Sequence, residues 1–341
     1  MLRYIARCLG QYCGWDAKRE VWVIPTVQTA TGPVPAEALG FTLSHEHVTV
    51  VYGSGLGVAF SFLFDPEATR AKATRHLAEA KAGGVDSIID LSTLDLGRNV
   101  GMCAQVSRDS GVNIVVATGF WRDIPRLFWD ADPDFIASVF VHEIEHGIGE
   151  TGIRPGVIKV ANDAEGVTPA GERVLRGAAR ACNATGVPIS THHWAPLEVG
   201  RRQLEIFKEE HVPMHLVCIG HSADTTDVAY LEDLLTSGCY LSMDRYPGGA
   251  GQPAWQERNA TVTALIERGY CSRLMLGHDY GVRSVVRGMT YDSDPDRHPT
   301  RYLFLKNTAI PALLADGVTE EQINAMTVEA PRRYLAGEGP H

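Results

Sequence analysis

Six polar residues that could bind a metal ion, or be modified to do so, follow apolar segments along most of this chain: His45, His47, Lys159, His192, His221 and Asp279. The first two alternate within the segment FTLSHEHV. Side chains two apart on a β-strand point to the same face, so both imidazoles can reach one metal ion. If the apolar segments are parallel strands of one barrel, all six side chains meet at its C-terminal mouth, where such barrels place their chemistry.

The types of these residues indicate which metals they would bind. Imidazole and carboxylate together favour Zn²⁺, Mn²⁺, Co²⁺ or Fe²⁺ over Mg²⁺ or Ca²⁺. Four histidines and one aspartate are more than a single catalytic metal usually takes, whereas a pair of metals would use them all if something bridged the two. Lys159 can form that bridge only after modification, because an ammonium group has no lone pair. A neutral amine takes up CO₂ and becomes a carbamate, which offers one oxygen to each metal.

The pattern of apolar segments predicts the fold. Several segments are rich in Val and Ile and almost continuously apolar, as expected of strands buried on both faces. Helical segments lie between them, such as 66–82 before Gly83, 169–185 before Gly186, and 199–210. Alternating strands and helices at this spacing predict a closed (β/α)₈ barrel, a TIM barrel of the α/β class. Its eight strands are expected at residues 41–47, 85–92, 113–119, 156–161, 187–192, 215–221, 239–245 and 273–279.

The domain boundaries follow from the same pattern. We expect one domain at residues 26–335, with a C-terminal helical tail from about residue 300, and a poorly ordered N-terminal extension at residues 1–25. No Pro/Ser-rich linker divides the chain. A doubly wound open sheet is the alternative, but no GxGxxG motif follows the first strand.

The composition limits the possible partners. Of 341 residues, 45% are hydrophobic and 21% charged, which is ordinary for a globular protein with a sizeable core. A net charge of -10 argues against a nucleic acid or an anionic membrane as partner. The seven cysteines are scattered without a CxxC motif, which favours a reduced, cytoplasmic protein. No apolar segment reaches the roughly 18 residues that a membrane span needs.

The segments around the six residues resemble the phosphotriesterase family of the amidohydrolase superfamily, from about Val27 to the final helix. The resemblance rests on the ordered motifs TGPV, GFTLSHEH, IIDLSTLDLGR, VATGFW, ETGIRPGVIKVA, GVPISTH, VCIGHSADT and GHDY. It implies a hydrolase with two metal ions, Zn²⁺ as first choice and Co²⁺, Mn²⁺ or Fe²⁺ as alternatives, and a homodimer. It implies that one metal is held by His45, His47 and Asp279, the other by His192 and His221, and that carboxylated Lys159 bridges them.

The resemblance also implies catalytic roles. Asp279 would take a proton from the hydroxide that bridges the metals and pass it toward Asp224. In the phosphotriesterases proper, a histidine follows the aspartate of strand seven and assists this transfer. This chain has Asp244-Arg245 there, as the lactonase branch does, and we count Arg245 among the catalytic residues.

The substrate pocket is expected to contain Trp121, Arg245 and Tyr280. Tyr280 after Asp279 favours the lactonase branch, whereas Trp121 resembles the phosphotriesterase side. We expect the bridging hydroxide to attack a small neutral lactone or carboxylic ester, and an organophosphate triester is the alternative. A neutral substrate is expected because no cluster of Lys or Arg marks a site for an anionic phosphate.

A second motif offers a different metal site. His142, Glu143 and His146 satisfy the HExxH pattern of metalloproteases. The longer metzincin pattern needs a third histidine at position 152, where this chain has Gly152. The surrounding segment, 135–148, is predicted to be an outer helix, which would place both histidines on the periphery of the barrel. A non-catalytic barrel is the remaining alternative, and it would be indicated by the loss of a ligand.

Overall fold

The computed structural model describes residues 25–51, 53, 55–249, 251–288 and 300–339. The extension expected at residues 1–25 lies outside the described residues, except for Pro25. Across these ranges, no helix is both long and apolar enough to cross a membrane. The cysteines within them carry free thiols: Cys103, Cys182, Cys218, Cys239 and Cys271.

Parallel strands form the centre of the molecule. A small antiparallel hairpin precedes them, made of β1 (Thr26–Thr29) and β2 (Gly32–Pro35). Eight strands then lie side by side in chain order, and a short ninth pairs with the outer edge of the first. These strands are β3 (Thr42–Val50), β4 (Ser87–Asp90), β5 (Asn113–Gly119), β6 (Val157–Ala161), β7 (Ile189–His192), β8 (Val217–Gly220), β9 (Tyr240–Met243), β10 (Leu274–Leu276) and β11 (Gly281–Arg283).

The sheet closes into a barrel between its first and eighth strands. The amide of Asp279, just after β10, donates to the carbonyl of His45 across 2.9 Å, and the amide of His47 donates to the carbonyl of Tyr280 across 2.8 Å. Together with the surrounding helices, this closure confirms the predicted (β/α)₈ barrel.

Helices cover the outside of the barrel. The sequence sets their ends: the side chain of Asp65 caps the helix that starts at Pro66, and Thr168 caps the one that starts at Pro169. The helices are α1 (Leu56–Ala59), α2 (Pro66–Ala82), α3 (Val100–Ser110), α4 (Pro133–His146), α5 (Pro169–Thr185), α6 (Val199–Glu209), α7 (Val228–Thr236), α8 (Trp255–Glu267), α9 (Ile310–Ala315), α10 (Glu320–Asn324) and α11 (Ala330–Ala336). The predicted bounds of α2 and α5 are confirmed.

Two apolar clusters leave only one end of the barrel for chemistry. The larger lies between strands and helices. The smaller fills the barrel interior, where alternate strand residues such as Val115 and Ala117 point inward. Leu39 and Tyr334 extend this interior cluster beyond the N-terminal ends of the strands. The N-terminal end of the barrel is therefore filled with apolar side chains, and the polar residues lie at its C-terminal mouth.

Candidate metal centre at the barrel mouth

Three of the predicted ligands, His45, His47 and Asp279, lie together at the mouth. Asp279 Oδ1 is 3.0 Å from Nε2 of His47 and 3.4 Å from Nε2 of His45. The alternation of β3 puts both imidazoles on one face, and the closing hydrogen bond of the barrel brings Asp279 to them. One ligand atom from each residue falls within 4.8 Å of the others, a spacing at which a single metal ion can bind all three.

His192 and His221 extend this cluster. The ring of His221 lies 4.6 Å from that of His45 and 4.3 Å from that of His192, measured between centroids. His192 ends β7 and His221 directly follows β8, so neighbouring strands bring them to the same rim. The structure thus brings all four predicted histidines into one contiguous group.

Asp244 orients two of these imidazoles. Its carboxylate is 2.9 Å from Nδ1 of His45 and 2.8 Å from Nδ1 of His221. The Oγ of Ser92 lies 2.9 Å from Nδ1 of His47 in the same way. Metal-binding histidines usually have such a partner on the other ring nitrogen, because it fixes the tautomer and the ring plane. In all three residues Nε2 is therefore the nitrogen left for a metal.

The charges of this group follow from burial. Burial lowers the pKa of His45 and His221, which keeps these imidazoles neutral near neutral pH. Burial also opposes ionisation of Asp244, but the adjacent imidazoles hold its pKa well below the usual range. Two neutral N–H donors thus share one carboxylate.

Lys159 lies on β6, the strand next to the one that ends at His192. Its side chain is buried, and Nζ donates to the carbonyl of Thr191 across 3.3 Å. Burial lowers the pKa of this amine to about 8. A substantial fraction is therefore neutral just above neutral pH, which is the state that reacts with CO₂.

A chain of ion pairs leads away from Asp279. Arg245 donates from Nε to Asp279 Oδ2 at 2.9 Å and from Nη1 to Asp224 Oδ2 at 2.6 Å. Arg258, fully buried on α8, donates to the other oxygen of Asp224 at 2.9 Å and to the carbonyl of Asp244 at 2.8 Å. The two arginines hold Asp224 between them, next to the metal cluster.

Three site residues have strained backbones. His221, Arg245 and Asp279 adopt φ values of 62°, 63° and 53°, in the left-handed region that non-glycine residues rarely occupy. Such strain costs about 1–3 kcal/mol per residue and persists only where the surroundings enforce it. Next to Asp279 that enforcement is visible: the buried carboxylate of Glu46 accepts from the amides of His278 and Tyr280 at 2.8 and 3.0 Å.

The loop after β5 packs against His192. Trp121 donates from Nε1 to His192 Nδ1 at 3.3 Å, and the guanidinium of Arg122 lies over the indole ring. Asp163 lies 3.4 Å from His192 Nε2 and 2.7 Å from Arg122 Nη1. These contacts with His192 and Arg122 lower the pKa of Asp163 to about 2. A carboxylate thus stands behind His192, as Asp244 stands behind His45.

Tyr280 does not lie where a pocket residue would. Its side chain is buried, and its hydroxyl is 3.2 Å from Nδ1 of His76 on α2. Its ring packs against Tyr302. Asp279 and Tyr280 are consecutive and their side chains point to opposite sides, so Tyr280 packs between the barrel and its outer helix.

The HExxH residues are remote from the mouth, as expected of an outer helix. His142 and His146 are exposed on α4. Glu143 turns inward and pairs with Arg98.

The residues at the mouth fit a divalent transition metal. The Nε2 atoms of His45 and His47 both face the carboxylate of Asp279, while Asp244 and Ser92 engage their Nδ1 atoms. Imidazole nitrogens and a carboxylate oxygen thus point toward one another. This set of ligand atoms suits Zn²⁺ and the neighbouring transition metals.

Several functional candidates escaped sequence reasoning. Sequence reasoning named Asp244 only as the residue before Arg245, although its place just after an apolar strand could have indicated its role. Ser92 lies inside the motif IIDLSTLDLGR, but nothing about a serine there indicates contact with a histidine. Asp163 and Arg258 gave no signal, because their partners are remote in sequence.

The barrel and its histidine–aspartate mouth are typical of metal-dependent hydrolases, and comparison with known proteins identifies the family. The model of the phosphotriesterase family matches residues 25–335, so the chain belongs to that family. The solved phosphotriesterase from Mycobacterium tuberculosis is 40% identical, with a TM-score of 0.85 over 93% of this chain and 100% of that one. An aryldialkylphosphatase from Saccharolobus solfataricus is 32% identical over 89% of this chain and 97% of its own.

A further solved structure is similar to this chain over most of its length. It comes from engineering of organophosphate hydrolysis from a weak promiscuous lactonase template. It is 32% identical to this chain, with a TM-score of 0.83 over 91% of this chain and 99% of the other.

Proposed function

We propose that this phosphotriesterase-family chain is a hydrolase that uses two divalent metal ions at the barrel mouth to open lactones or carboxylic esters. The observation that supports the proposal is the grouping of four imidazoles and a carboxylate at the mouth, together with a buried lysine of lowered pKa on β6. Zn²⁺ is the metal we favour, with Co²⁺, Mn²⁺ and Fe²⁺ as alternatives. The ligands would be His45, His47, Asp279, His192, His221, and Lys159 carboxylated on Nζ.

Such a metal pair, when bound, supplies a hydroxide nucleophile at neutral pH and polarises the C=O or P=O group of the substrate. The chain's own residues manage the proton. Asp279 would accept it, and Arg245 donates to its Oδ2. A guanidinium is always protonated and cannot relay a proton itself. Arg245 instead aligns Asp279 with Asp224, the next carboxylate along the ion-pair chain.

The charges around the mouth support a neutral substrate. Among the described residues, Arg122 lies over Trp121 and Arg245 beside Asp279, and both are bound to carboxylates. Neither is left to hold an anionic phosphate. Trp121 lies against His192 and offers an apolar surface for the substrate. In this proposal Trp121 and Arg245 line the pocket, and Tyr280 is removed from it because of its buried position.

Organophosphate triesters are the alternative substrate, supported by the name of the Saccharolobus solfataricus relative. The distinguishing experiment is hydrolysis of a panel of acyl-homoserine and aliphatic lactones, aryl esters and a dialkyl aryl phosphate, with metal content measured on the same samples. Faster turnover of lactones or esters supports the proposal. Faster turnover of the phosphate than of every lactone and ester supports the alternative.

The homodimer and the cytoplasmic location expected from the sequence stay predictions. Light scattering coupled to gel filtration tests the first, and cell fractionation tests the second.

A further inference from the structure

The HExxH motif on α4 has its glutamate engaged elsewhere. The carboxylate of Glu143 binds the guanidinium of Arg98 through both oxygens, at 2.7 and 2.8 Å. It also accepts from Oγ1 of Thr118 at 2.5 Å. Glu143 therefore faces the barrel and joins α4 to β5 and to the segment after β4. It is not free to act as the general base that this motif supplies in metalloproteases.

The two histidines of the motif lie on the outward face of α4. His142 and His146 are one helical turn apart, and both side chains are exposed. Their rings stack with centroids 4.7 Å apart and planes 8° from parallel. Within the part of the chain that the structure describes, neither imidazole has a hydrogen bond or an ion pair with another residue. Their ring nitrogens are thus available to an outside partner.

We propose that His142 and His146 form a peripheral site for one divalent transition-metal ion, separate from the mouth. Two histidines at this spacing on a helix can bind one ion together, with water in the remaining positions. Imidazole ligands favour Cu²⁺, Ni²⁺ and Zn²⁺, and Cu²⁺ binds most tightly of the three. The net charge of -10 adds a general attraction for cations.

The site has two protein ligands, fewer than a structural or catalytic zinc site, so its metal is weakly held and exchangeable. It has no hydrolytic role, because Glu143 stays bound to Arg98. Metal binding favours the folded state by mass action, and here it joins the last turn of α4 to the turn before it. The same turn carries Glu143, which binds Arg98 and Thr118, so the bound ion also stabilises the packing of α4 against the barrel.

The test is calorimetric titration with Cu²⁺. Protein without a polyhistidine tag is loaded with Zn²⁺ and freed of excess metal by gel filtration before titration. His142→Ala and His146→Ala are compared with wild type and with the control His211→Asn. His211 is also exposed but has φ of 59°, which asparagine tolerates. Circular dichroism checks that each variant is folded.

We expect one weak equivalent of Cu²⁺ in wild type and in His211→Asn, with affinity about tenfold lower in either alanine variant. The electron paramagnetic resonance spectrum should show nitrogen coupling from two imidazoles, reduced in each alanine variant. Zinc released during titration, measured in the same samples, identifies any Cu²⁺ that exchanges at the mouth. Equal affinity and equal spectra in wild type and both alanine variants would overturn the proposal.

Discussion

Arg245 donates from Nε to Oδ2 of Asp279 across 2.9 Å, so a permanent positive charge touches the carboxylate at the centre of the proposed metal site. The same guanidinium reaches Asp224. A histidine in this position could exchange protons with Asp279, whereas arginine can only orient it or donate to a substrate oxygen.

The first prediction concerns Arg245→Ala. Opening a lactone develops negative charge on an acyl oxygen, which a nearby positioned donor stabilises. We expect lactone or ester turnover to fall about 100-fold, the usual effect of losing one such donor. Phosphotriester turnover should fall less, because an aryloxide is already a good leaving group. Steady-state kinetics on both substrate classes measures the difference. An equal loss on both would show that Arg245 acts only by orienting Asp279.

The second prediction concerns Asp244→Asn. The substitution keeps the size of the side chain but cannot accept from both His45 and His221 as a carboxylate does. We expect metal affinity to fall about 10- to 100-fold, the usual effect of losing a partner of metal-bound histidines. Competition with a chromophoric chelator measures the affinity. Unchanged affinity for both metal equivalents would contradict the orienting role.

The third prediction concerns Lys159→Ala. We expect the variant to lose bound metal and activity, and to recover part of each when a short-chain carboxylic acid is added. Such an acid can place two oxygens where the carbamate would have been. Elemental analysis and turnover, with and without the acid, measure both effects. Full activity of the metal-free variant would rule out two bridged metals.

The fourth prediction is the pH dependence of lysine carboxylation. Burial lowers the pKa of Lys159 from 10.5 to about 8, so the reactive neutral fraction grows as pH rises and levels off above about pH 8. In metal-free protein, we expect activation by Zn²⁺ at a fixed concentration of dissolved CO₂ to become about tenfold faster per pH unit below that value. The rate of activity gain measures this. A rate still rising tenfold per unit above pH 9 would indicate an ordinary lysine.

The grouping of the four histidines and Asp279 could be predicted because each lies in or just after an apolar strand, and parallel strands bring their C-terminal ends together. His45 and His47 show the stronger form of this signal, since strand alternation alone places them side by side. The helix ends were predictable for a local reason as well: Asp65 and Thr168 cap helices that begin with proline at the next residue.

The residues that support the ligands could not be predicted. Arg258 holds Asp224 from a helix 34 residues later, and nothing in its own segment distinguishes it from a surface arginine. Tyr280 was expected in the pocket, but its hydroxyl lies against His76 on α2 instead. The hairpin of β1 and β2 was missed since Gly32, Pro33 and Pro35 are atypical of strands.

The hydrogen bond that closes the barrel, from the amide of Asp279 to the carbonyl of His45, also sets an order of events during synthesis. His47 and its ligand partner Asp279 are 232 residues apart in the chain. At about 5–20 residues per second, a ribosome needs roughly 10–50 s to add that length. Throughout this interval the nascent chain contains His45 and His47 but not yet Asp279. The group of His45, His47 and Asp279 is therefore among the last parts of the barrel to be completed, and the proposed metal loading would follow it.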